Sequence, residues 1–141
     1  MTNRKIIEEI IKLKNLKPSE VYKKCGMNRK SFWFMLSKDG NMIYSIQEKF
    51  CKALELKVIA CKGKRKVDLY PSDKGIPYIL MEEEGLKEKE VLEYMNVSLN
   101  RLRECKKVNK LKTERYLELL EGLGYMMFIV DNEKEYWVSY D

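Results

Sequence analysis

Apolar residues recur at helical spacing through most of this chain and gather into short β-rich stretches after each helical run. Ile6, Ile7, Ile10 and Ile11 mark one face of an opening helix, with Asn3 as its expected N-cap. Asn15 suits the left-handed conformation that ends a helix. Pro18 then fits the first position of a second helix, whose inner face is Val21, Tyr22 and Cys25. Gly26 closes that helix and Asn28 caps a third, with Phe32, Met35 and Leu36 on its apolar face. Asp39-Gly40-Asn41 breaks the pattern. Ser45 and Glu48 resemble a capping box for a fourth helix, with Ile46, Phe50, Ala53 and Leu54 inward. Val58 to Cys61 and Val67 to Tyr70 read as strands of a hairpin.

The same order returns about seventy residues later. Leu16-Lys17-Pro18-Ser19-Glu20-Val21 has its counterpart in Leu86-Lys87-Glu88-Lys89-Glu90-Val91. Gly85 stands where Asn15 stood, and both tolerate a positive φ. Asn96 replaces Gly26, Ser98 replaces Asn28, and Leu102 and Cys105 take the places of Phe32 and Met35. A helix over 113–122 and a hairpin of Met126–Val130 with Tyr136–Tyr140 complete the second copy. The expected fold is mainly α: two tandem helix-turn-helix modules, 1–73 and 74–141, each followed by a short β-hairpin. Pro71 to Gly75 is the expected linker.

Charge separates the halves. Residues 1–73 carry 17 Lys+Arg against 8 Asp+Glu, while residues 74–141 carry 11 against 14. A basic half attracts polyanions. Four cations, Lys62, Lys64, Arg65 and Lys66, crowd the first hairpin's turn. They read either as a solvated turn or as a finger on phosphate. The second hairpin is acidic at its tip. Its apolar strands, with Phe128, Tyr136, Trp137 and Tyr140, are expected to pair with a twin chain.

The sequence has four scattered cysteines and no histidine. No metal site, cofactor or catalytic constellation is expected, and an enzyme is not. No apolar run approaches the ~20 residues of a membrane span, and no signal peptide is read, so the expected compartment is the cytoplasm.

Leu16, Glu20, Val21, Gly26, Met27, Asn28, Ser31, Phe32 and Met35, extended by Phe50, Ala53, Leu54 and Leu56, resemble the Cro/repressor-type (XRE-like) helix-turn-helix regulators of phages and bacteria. The resemblance implies that the helix after the glycine turn enters the major groove. Asn28, Arg29, Lys30, Ser31 and Trp33 would then face DNA. In the second copy the matching positions are Ser98, Asn100, Arg101, Arg103, Lys106 and Lys107, a cationic face that reads equally as solvated surface. Tyr22, Phe34 and Leu36 depart from the family pattern. Adjacent Trp33 and Phe34 point around the helix in directions one core cannot satisfy, and suggest a protein contact.

The leading expectation is a sequence-specific double-stranded DNA-binding transcriptional regulator of a phage or other mobile element. It would act as a homodimer by operator occupancy, with 29–37 and 99–107 as recognition helices. The alternative is a protein-binding inhibitor on the same scaffold, such as an anti-CRISPR protein engaging a host nuclease.

Overall fold

The computed structural model describes residues 1–140. In chain order the elements are α1 (Asn3–Leu13), α2 (Pro18–Lys24), α3 (Arg29–Lys38), a 3-10 turn (Asp39–Asn41), α4 (Tyr44–Ala53), β1 (Lys57–Lys62) and β2 (Arg65–Tyr70). There follow α5 (Ile76–Glu84), α6 (Glu88–Val91), α7 (Leu99–Arg103), α8 (Thr113–Gly122), β3 (Met126–Asp131) and β4 (Lys134–Val138).

The expected mainly helical pair of modules is corrected here. The fold is mixed α/β. The two hairpins are not separate appendages: they join into one antiparallel sheet of order β2-β1-β3-β4. An isolated two-stranded hairpin is marginal in water, whereas four strands with a covered face are not. Val58, Ala60, Val67, Leu69, Met127, Ile129, Tyr136 and Val138 are buried at alternating positions. They join Ile6, Ile10, Phe32, Phe50, Leu80, Leu102 and Leu120 in one continuous core. A fully buried Phe side chain such as Phe32 contributes roughly 2–3 kcal/mol.

The two halves meet about a pseudo-two-fold axis. Ile59 pairs with Phe128, 69 positions on. Moving 69 positions along the chain turns Lys57 into Met126 and Cys61 into Val130, and the pairs Lys57↔Val130 and Cys61↔Met126 simply exchange. Ile43 and Lys112, again 69 apart, form a β-bridge. Around it the Tyr44 N–H donates to the Leu111 carbonyl at 2.9 Å, and the Thr113 N–H donates to the Met42 carbonyl at 3.0 Å. The strand that sequence reasoning left for a twin chain thus finds its partner within the chain.

The bridge also displaces an expected cap. α4 begins at Tyr44 rather than after Ser45, and no side chain caps it. At α1 the cap is Thr2, whose hydroxyl accepts from the Lys5 N–H, while Asn3 is buried inside the helix. Met1 lies along the edge of the sheet: its ammonium donates to the Trp137 carbonyl at 3.0 Å, and its carbonyl accepts from the Ser139 N–H at 2.8 Å.

Candidate nucleic-acid interface

The first helix-turn-helix is built as its residues require. Pro18 starts α2, and Gly26 takes φ +69° at the turn. The Asn28 carboxamide oxygen accepts from the Ser31 N–H at 2.8 Å and caps α3. Phe32 anchors α3 in the core, with Tyr22, Trp33 and Phe50 rings 5.9, 5.2 and 5.3 Å away. This leaves Asn28, Arg29 and Lys30 exposed at the start of a ten-residue helix, with Ser31 half-buried behind them. Residues 29–37 are helical throughout, as expected.

Arg29 and Trp33 line a shallow groove of about 280 Å³ with Pro18, Ser19 and Tyr22. Trp33 is 38% exposed and Phe34 57%. The Lys38 ammonium sits 4.8 Å from the centre of the Phe34 ring. A second hollow of about 500 Å³ is lined by Lys24, Lys49 and Lys52 together with Glu55, Cys25 and Ala53. Burial pushes the Cys25 thiol up to about 11, so it stays protonated and inert at neutral pH.

The basic hairpin is different. Lys62 and Arg65 approach Glu84 at 3.6 and 3.1 Å, Arg65 also nears Glu83 at 3.8 Å, and Lys66 meets Glu135 at 3.3 Å. The Tyr125 hydroxyl donates to Glu84 as well. That bond, then Lys62 and Arg65, hold the Glu84 carboxyl below its usual range. The cations are therefore neutralised by α5 and β4, and among the described residues Lys64 alone of the four lacks a carboxylate partner.

The second copy keeps the layout and loses the helix. Asn96 stands in the place of Gly26 without taking the positive φ that Gly26 has. α6 is a single turn, and the chain leaves it through tight bonds such as Tyr94 N–H to Val91 O. Ser98 caps α7 by accepting from the Arg101 N–H at 3.2 Å. The expected helix 99–107 stops at Arg103, which places Lys106 and Lys107 in an irregular segment. The cause is a contact distant in sequence: the Gly75 N–H donates to the Lys106 carbonyl at 3.1 Å and holds that backbone against the start of α5. Arg101 pairs with Glu104 at 3.0 Å. Arg103 reaches both carboxylate oxygens of Glu88 at 3.3 Å, and the Tyr78 hydroxyl donates to the same carboxylate at 2.6 Å. Asn100 is exposed.

Of the aromatic interface candidates, Trp137 is 50% exposed and Phe128 half-buried on the pseudo-two-fold axis. Tyr136 is instead part of the core. Tyr140 is taken up inside the chain: its hydroxyl donates to Asp39 at 2.6 Å and accepts from the Asn3 N–H at 3.1 Å.

Pairing separates the arginines sharply. Arg4, Arg65, Arg101, Arg103 and Arg115 each contact a carboxylate. Among the described residues Arg29 is the arginine without one, and Lys17, Lys23, Lys24, Lys30, Lys38, Lys49 and Lys52 of the same unit likewise form no salt bridge. Sequence reasoning passed over Lys17, Lys23, Lys24, Lys49 and Lys52. Their signal was a local excess of lysine with few acids to meet it. Among the described residues no helix is long and apolar enough to cross a membrane. Comparison with protein-family models, curated proteins and solved structures finds no match.

Proposed function

We propose that this protein is a sequence-specific double-stranded DNA-binding regulator of phage or mobile-element type, acting by occupying its site through the first helix-turn-helix. One observation carries the reading: the free guanidinium stands at the first turn of the capped, exposed helix α3. A free Arg can grip guanine O6 and N7 bidentately from the major groove. Asn28 is already spent as a cap, so Arg29 and Lys30 carry the direct readout. The unpaired lysines of α2 and α4 supply phosphate contacts, which set affinity and register without reading sequence.

The test is binding to a random-sequence duplex, measured by fluorescence anisotropy across a salt series. The logarithm of affinity should fall steeply with the logarithm of salt. In K24A/K52A the slope should flatten by roughly 1–2, about 0.9 per lost phosphate contact. Its thermal midpoint should stay unchanged, since both residues are exposed. Salt-independent binding, or a variant that binds like the parent, would refute the reading.

A second reading, a protein-binding inhibitor such as an anti-CRISPR protein engaging a host nuclease, is supported by the exposed Trp33 and Phe34. Phe34 lies beyond the helix's first turn, so Phe34→Ala separates the two: it should spare DNA affinity and abolish partner capture.

A further inference from the structure

Resting on the DNA reading, we infer that a single chain spans a duplex site of two unequal halves, reading bases with the first unit and gripping only backbone with the second. Paired readers ordinarily come from two copies of a chain on a palindrome. Here the pairing that relates two copies is already made inside one chain. The β1–β3 register and the Ile43↔Lys112 bridge both obey the same 69-residue displacement. The sheet's central strands are consumed in joining the units, and its outer edges are β2 and β4. Met1 runs along β4. The β1–β3 seam, where the two units meet, is thus closed within one chain, and β2 is the edge left open.

The two units are unequal in chemistry. At the position matching Arg29 the second unit has Leu99, an apolar residue. Its three arginines are all held by carboxylates: Arg101 by Glu104, Arg103 by Glu88, which Tyr78 fixes in turn, and Arg115 by Glu118. Among the described residues, Lys106, Lys107, Lys110 and Lys112 are lysines of this unit that form no salt bridge, and all four lie outside the helices. An ammonium on a flexible stem is a point charge: it neutralises phosphate well and reads base edges poorly. The second unit therefore adds affinity without sequence preference.

The experiment uses the full chain and a pool of duplexes with a randomised centre, selected through rounds of binding. Chain-to-duplex stoichiometry is then taken by sedimentation. The expected product is one chain per duplex and a single block of specified base pairs. A hydroxyl-radical footprint should extend from that block into unspecified sequence on one side only. R29A should erase the block. K106A/K107A should weaken every duplex by a common factor, roughly tenfold, and keep the block intact. Two mirrored blocks, or two chains per duplex, would overturn the inference and leave DNA reading in place. A pool that never enriches, with no binding at low salt, would instead remove the DNA reading itself.

Discussion

At Glu84 one carboxylate meets Lys62, Arg65 and the Tyr125 hydroxyl. Replacing it with Gln keeps the shape and removes the charge. Glu84→Gln should cost about 1 kcal/mol of stability, read by urea unfolding. It should also raise affinity for heparin or random duplex, because two cations are released to the surface. Unchanged heparin retention would show that Lys62 and Arg65 are equally available with Glu84 in place. A second carboxylate, Glu48, responds to pH in the opposite sense from a salt-bridged acid. Burial raises it from 4.5 to about 6, against a hydrogen bond from Asn109 that lowers it. The folded chain then holds this proton more tightly than the unfolded one. Its penalty is absent below about 4.5 and grows as pH rises to about 6. Because Glu48 is partly solvated, Glu48→Gln should gain only about 1 kcal/mol at neutral pH. The gain should vanish below pH 4.5, and urea midpoints for both proteins across this range check it. The charges at both sites are plain in the sequence. Their partners are not, since Glu84 meets Arg65 from the far side of a linker and Glu48 meets Asn109 across the halves.

Among the elements, the contact between the start of α5 and the end of α7 has the least room. A Cβ on Gly75 would stand 1.7 Å from the Cys105 carbonyl oxygen, which is backbone and cannot swing aside. Gly75→Ala should therefore destabilise by roughly 2–3 kcal/mol or more, although its φ of −69° would suit any residue. Hydrogen exchange should show the loss concentrated in residues 99–109, and uniform protection would argue against this contact as the cause. Helix existence was legible here. Asn28, Ser98, Gly26 and Gly85 act locally, through a cap or a positive φ, and the structure keeps all four. The length of α7 was not legible, because Gly75, distant in sequence, ends it. Ser45 misled for a similar reason: the N–H at the start of α4 bonds to Leu111 of the other half.

For the molecule as a whole, the short apolar runs 58–61 and 126–130 and the alternation at 67–70 announce strands, and short polar turns announce hairpins. Alternation records one buried face and says nothing about which strand lies alongside. That is why the hairpins were legible and their union into one sheet was not. The same limit applied to Tyr136 and Tyr140, apolar residues near an end that read as surface and lie within the chain. The 69-residue displacement has one more consequence. Ahead of α4 and α8 the match between units runs at 70, as Asn15 with Gly85 and Asn28 with Ser98. One residue has therefore been dropped between Cys105 and Leu111, where the first unit has its 3-10 turn. A like slip inside a strand would swing every following side chain to the opposite face. Length drift between the halves is thus confined to a connector that can take up the slack.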